Sequence, residues 1–103
     1  MPKDVDEALK LYRKAAEQNS AQAQYDLGLC YANGEGVTKN YVEAYKWWTL
    51  SANQNNAPAR KYLSILQDRM SREQIADGQR LVSNFRPQIT STEWIDRSTP
   101  PSR

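Results

Sequence analysis

The sequence predicts an all-α fold of stacked helical hairpins, on three observations. The chain repeats itself: Val5–Leu27 laid over Tyr41–Leu63, an offset of 36 residues, keeps 9 of 23 positions identical, among them Ala8/Ala44, Ala16/Ala52, Asn19/Asn55, Ala23/Ala59 and Leu27/Leu63. A fixed period of this size marks helical hairpins that bury their apolar faces by stacking. Within each copy the apolar residues recur at helical spacing. Breaks rich in Asn and Gly, at Asn19-Ser20, Gly34-Glu35-Gly36 and Asn55-Asn56, separate the segments.

The first helix is predicted to start near Asp4, which can cap it, with Asp6 and Glu7 suited to the positive helix end. Ala8, Leu11, Tyr12, Ala15 and Ala16 form its expected buried stripe. Ser20 is placed to cap a second helix from Ala21 to about Asn33, with Ala23, Leu27, Gly28 and Tyr31 inward. Gly28 costs roughly 1 kcal/mol in a helix interior and is tolerable where a neighbouring helix comes too close for a Cβ. Gly34 and Gly36 end that helix. Asn40 caps a third, Tyr41 to about Asn53, and Glu43 completes a pattern like a capping box. Its stripe is Ala44, Trp47, Trp48, Ser51 and Ala52. Asn56 caps a fourth helix that runs to about Met70 and accepts Pro58 in its first turn. Ala59, Leu63 and Leu66 repeat the core phase of the second. Here the copy degrades, with Ser64 in place of Gly28 and Gln67 in place of Tyr31. Ser71 with Gln74 opens a fifth helix, Arg72 to about Phe85, with Ile75, Gly78, Val82 and Phe85 on one side. It reads as a lid, since a solenoid end needs an atypical, more polar cap. Residues 1–86 are therefore one helical domain. Residues 87–103, with Pro100-Pro101 and many Ser and Thr, read as an extended or disordered tail with a potential anchor at Trp94-Ile95.

The run Ala15-Ala16-Glu17-Gln18, Ala21, Ala23-Gln24-Tyr25, Leu27-Gly28, Tyr31, Gly34, Gly36-Val37, Tyr41, Ala44, Trp47-Trp48 resembles the Sel1-like repeat, a relative of the tetratricopeptide repeat with a slightly longer period. Met70-Ser71-Arg72-Glu73-Gln74-Ile75-Ala76 is similar to the capping helix that often follows the last such repeat. The resemblance covers about residues 4–86. It implies a right-handed α-solenoid of about two helical hairpins plus a C-terminal capping helix. It also implies a non-catalytic adaptor or scaffold that binds a partner protein or peptide. Some secreted members carry paired cysteines in each repeat; this sequence has only Cys30, so the penicillin-binding or hydrolytic activity proposed for that branch finds no support here.

In this architecture the second and fourth helices line the concave face. The helical wheel turns Gln22, Tyr25, Leu29 and Ala32 toward the groove on one copy, and Lys61, Ile65 and Asp68 on the next. An apolar and aromatic strip with polar edges suits a partner helix or extended peptide. An inhibitor or immunity-type protein that blocks a partner enzyme is the alternative reading, and a solenoid-based hydrolase a lower one.

Composition narrows the classes. The chain has 103 residues, 39% hydrophobic, so its core is thin, and six Tyr and three Trp supply much of the buried area. No His is present, which removes the commonest general base and neutral metal ligand. No catalytic residue, cofactor or metal site is expected. Gly34-Glu35-Gly36 lacks the Lys and Ser/Thr of a phosphate loop. A single cysteine allows no internal disulfide, and Cys30 reads as buried and inert. Glu73 and Asp77, beside Arg69, Arg72 and Arg80, read as a solvated charged face. The net charge of +2 divides as −2 over Met1–Gly36 and +4 over the rest, short of a basic nucleic-acid face. Trp47-Trp48 match Leu11-Tyr12, which assigns them to the core and not to base stacking. No 18-residue apolar run or leader is evident, so no membrane partner is expected. The chain reads as cytoplasmic, or as periplasmic or secreted if a leader was removed. The outer side of the first helix, without a preceding partner, offers a face for a weak homodimer.

Leu27→Ala or Trp47→Ala is expected to destabilise the fold by roughly 2–5 kcal/mol, as large-to-small core changes do. Urea denaturation followed by circular dichroism measures it, and an unchanged midpoint removes the core assignment.

Overall fold

The computed structural model describes residues 2–87, and among them the chain is five α-helices with no strand. α1 covers Pro2–Glu17, α2 Ala21–Asn33, α3 Tyr41–Ala52, α4 Ala57–Gln67 and α5 Arg72–Asn84. Helices α1 to α4 pack in succession as an α-solenoid, two hairpins deep, and α5 turns back onto α3. α3 therefore contacts α2, α4 and α5 and is the centre of the molecule. No described helix is long and apolar enough to cross a membrane. The expected tail, from residue 88 on and including Trp94-Ile95, lies outside the described residues.

The helix ends follow from local chemistry. Ser20, Asn40, Asn56 and Ser71 have extended backbones, and their side chains accept from the N–H groups of Ala23, Glu43, Ala59 and Gln74. Each satisfies one donor that the first turn leaves unpaired. The Ser71 box closes both ways, since the Ser71 N–H also donates to Gln74 Oε1 at 3.0 Å. The Asn40 pattern closes only one way. Its N–H donates to Tyr31 O at 2.9 Å, which ties the glycine loop to the end of α2, so Glu43 has no donor to reach back to.

The duplicated breaks share one geometry. Asn19 and Asn55 have left-handed backbones, with φ of 76° and 69°. Ser20 N–H donates to Ala15 O and Asn19 N–H to Ala16 O, both at 3.0 Å. In the second copy Asn56 N–H donates to Ser51 O at 3.3 Å and Asn55 N–H to Ala52 O at 2.9 Å. This pair of bonds satisfies carbonyls that the last turn leaves open, and Asn tolerates the left-handed position it requires. Gly34, with φ of 72°, ends α2 in the same left-handed conformation, but there its own N–H and that of Glu35 both donate to Cys30 O. The boundaries differ from expectation by a turn or less. α1 reaches back to Pro2, so Asp4 lies inside the helix. α3, α4 and α5 stop at Ala52, Gln67 and Asn84, and Met70 is buried beyond the end of α4.

Two core clusters meet at α3. Tyr45, Trp48 and Ala52 pack with Ala59, Leu66 and Met70, while Trp47 joins Leu9, Ala16, Ala23, Leu27 and Cys30. α3 therefore buries two sides. α1 buries one: Leu9, Tyr12 and Ala16 occupy the positions equivalent to Tyr45, Trp48 and Ala52. This corrects one expectation. Leu11 is 66% exposed, whereas its counterpart Trp47 is 2% exposed. Trp47 is enclosed by the α1–α2 cluster and by Phe85, which meets it edge-on with ring centroids 5.7 Å apart. Among the described residues no helix takes that place beside Leu11, so Leu9 carries the burial instead.

The close approach expected at Gly28 comes from Trp48. A Cβ at Gly28 would overlap Cδ1 and Nε1 of the indole. The indole N–H donates to Tyr25 O at 3.1 Å. A polar clasp joins the two copies at the other end. Fully buried Gln24 donates to Ala16 O at 3.1 Å and to Asn19 Oδ1 at 3.2 Å, and accepts from Gln54 Nε2 at 3.1 Å. Ser51 Oγ donates to Ala21 O at 2.7 Å. Satisfying both partners of the buried amide removes the penalty of burying it.

Gly28→Ala separates propensity from packing. Alanine favours the helix by about 1 kcal/mol, but overlap with Trp48 is expected to cost about 1–3 kcal/mol. The melting temperature should fall; a rise would overturn the Trp48–Gly28 contact.

Candidate functional site

α2 and α4 run on one side of α3, and a cavity of about 290 Å³ opens between them. Ala32 and Asn33 at the end of α2 form one wall, and Tyr62, Ile65, Leu66 and Arg69 form the other. Trp48, Lys39 and Tyr41 complete its lining. Trp48 is only 4% exposed, while Tyr62 and Ile65 are 38% and 46% exposed. Two large apolar side chains therefore stand in solvent beside a packed aromatic base. The rings form a row across the helices: Trp48 and Tyr62 lie 5.7 Å apart, and Tyr62 and Tyr25 lie 6.1 Å apart. Such pairs contribute about 0.5–1.5 kcal/mol beyond area burial, and this row spans α3, α4 and α2 in turn.

The seven residues expected in the groove divide into three groups. Ala32 and Ile65 line the cavity. Tyr25 and Leu29 are half-buried and pack against the α3–α4 core, with Tyr25 also edging the aromatic row. Gln22, Lys61 and Asp68 are exposed and line none of this cavity. The Gln22 amide donates instead along its own helix, to Asp26 Oδ1 at 3.2 Å. Sequence reasoning missed Tyr62 and Arg69. Tyr62 aligns with Asp26 at the 36-residue offset, so the comparison of copies hides it. The available signal was the i, i+3 pair Tyr62 and Ile65, which runs beside the core stripe and widens the apolar side of α4, with Arg69 in the turn that follows it.

Other candidates resolve into structure. Cys30 is buried, and that burial, with Glu35 and Asp26 adding to it, pushes its thiol above the ordinary range. A thiol held protonated is a poor nucleophile. Arg13 donates to the Tyr31 hydroxyl at 2.9 Å, a bond that raises the guanidinium pKa and joins α1 to α2. Asp77 pairs with Arg80 at 2.9 Å on the exposed side of α5; such surface pairs contribute little. Among the described residues no cluster of His, Cys, Asp and Glu could hold a metal ion.

The family model for the Sel1 repeat matches residues 1–20 and 21–56, more than half of the chain. The chain belongs to the Sel1 repeat family. Relatives of this Sel1 repeat chain are larger proteins. DAP3-binding cell death enhancer 1 of Rattus norvegicus is 38% identical over 63 residues, 61% of this chain and 12% of that protein. A putative sel1-like repeat-containing protein, L18, of Acanthamoeba polyphaga mimivirus is 48% identical over 42 residues, 41% of this chain and 7% of that protein. The exopolysaccharide production negative regulator of Rhizobium meliloti is 40% identical over 53 residues, 52% of this chain and 20% of that protein. The chain thus spans a fifth or less of the length of each. The second repeat match, 21–56, covers α2 and α3, so the Trp48–Gly28 contact lies inside one family repeat.

One titration reports on the aromatic row. Burial, then Tyr62 and Asp26, raises the Tyr25 hydroxyl above the ordinary tyrosine value. A raised folded-state pKa adds stability that is complete below the unfolded value and is lost as pH rises through the folded one. Stability should therefore decline above about pH 10, and Tyr25→Phe should flatten that decline. Urea midpoints between about pH 8 and about pH 11, in a Cys30→Ala background that removes the other raised acid, measure it. An identical decline in both proteins removes the effect.

Proposed function

We propose that this Sel1 repeat domain is a non-catalytic binding module. A partner polypeptide, extended or helical, lies in the groove between α2 and α4. The observation that carries the reading is the pairing of exposed Tyr62 and Ile65 with the enclosed Trp48 base. Soluble domains rarely leave large apolar groups grouped around a concavity unless something docks there. The scaffold beneath is held by aromatic packing and caps, so the groove is preformed and docking needs little rearrangement. The family assignment supports a protein partner. The names of the rat and Rhizobium relatives, a binding protein and a negative regulator, support an effect exerted by occupying that partner.

A photocrosslinking amino acid at position 65, compared with one at exposed Gln79 on α5, tests the site in native cells. A protein adduct should form from position 65 and not from position 79. Tyr62→Ala combined with Ile65→Ala should weaken binding of the partner so recovered by about tenfold or more, as loss of central anchors does, with helix content unchanged. Adducts from position 79 alone, or unchanged affinity in the double variant, remove the groove.

A further inference from the structure

We infer that the groove's occupant is an acidic peptide, a segment that sets a large apolar side chain next to one or more carboxylates. This rests on reading the groove as a peptide site and adds the partner's chemistry. The cavity between α2 and α4 continues into a second, of about 380 Å³, and the two share Lys39 and Tyr41. Together they make one furrow with an apolar end at Tyr62 and Ile65 and a polar end at Gln74, in the first turn of α5. The apolar end, at about 290 Å³, is at the small limit of ligand pockets and suits one aromatic or branched side chain.

The charge along the furrow has one sign. Lys39 lines both halves and Arg69 lines the apolar one, and among the described residues no Asp or Glu lines either. Lys39 Nζ stands 5.2 Å from the Tyr41 ring centroid, which holds the cation at the junction of the two cavities. Among the described residues the ion pair is Arg80–Asp77, so neither furrow cation has a salt-bridge partner there. A neutral peptide over these groups would strip water from two cations and return nothing. A carboxylate beside the apolar anchor offsets that loss with charge-assisted hydrogen bonds, to the Arg69 guanidinium above all. Single-stranded nucleic acid fits less well. Stacking needs open aromatic faces, but Trp48 is 4% exposed, and two cations are too few to track a phosphate chain.

A random dodecapeptide library displayed on phage, panned against the whole 103-residue chain, tests the inference. Selected sequences should place Asp or Glu within two positions of Trp, Phe, Leu or Ile. Synthetic copies should bind about tenfold more weakly to the Lys39→Gln/Arg69→Gln variant, and more weakly at about 300 mM than at about 50 mM salt. They should fail to bind Ile65→Lys, and all variants should keep their helix content. Peptides that need Ile65 but show no acidic preference and ignore Lys39 and Arg69 overturn the inference and leave the groove standing. Peptides that bind Ile65→Lys as well as the native chain overturn the groove too, as does a library that yields no binder. A thymidine dodecamer that binds more tightly than any selected peptide, and needs both cations, overturns the inference in favour of nucleic acid. A dimer that Ile65→Lys disperses overturns it in favour of a second copy.

Discussion

The structure depends on one contact, the Trp48 indole against the bare backbone of Gly28. The missing Cβ lets α3 approach α2 closely enough for the indole to lie on the helix surface. At that distance the ring N–H reaches the carbonyl of Tyr25, so a large apolar ring is buried with its polar atom satisfied. The same indole meets Tyr62 on α4. One side chain thus sets the spacing of α2, α3 and α4, and with it the width of the groove.

The end of the stack follows the same logic with different residues. α5 departs from the repeat, but it presents Gly78 to Tyr45 as α2 presents Gly28 to Trp48. Phe85 then closes over Trp47, and Lys46 lies across that ring with Nζ 4.2 Å from its centroid. Two glycines opposed to two aromatics hold α2 and α5 against α3. At the start of the chain the equivalent position, Leu9, closes on Gly36. A small residue facing a large one at matched positions is how a chain with a thin core reaches tight packing.

That rigidity bears on binding. The groove lies on helices whose ends are capped and whose interiors are locked by rings, so under the proposed reading its shape is set before a partner docks. Preorganisation lowers the entropy lost on docking, and a small furrow can then hold one anchor residue firmly. In the inferred complex, Lys39 and Arg69 hold the partner's carboxylates by charge-assisted hydrogen bonds and also orient it.

The sequence by itself determined the number of helices, the caps of α2 to α5 and the duplicated Asn breaks, because these depend on residues within one turn of each other. Trp47, Trp48 and Ser51 were legible as core since the 36-residue offset lined them up with Leu11, Tyr12 and Ala15, and Gly28 since it shares the stripe of Ala23, Leu27 and Tyr31. Leu11 was not. Its spacing is as helical as that of Leu9, and only the presence or absence of a facing helix decides which side of α1 is covered. Tyr62 and Arg69 were hidden in the same way, since a groove is made by residues from α2, α3 and α4 that no local pattern connects. Periodicity records which way a side chain points along its own helix; what stands opposite it is a property of the assembled chain, and the tertiary structure alone decided that.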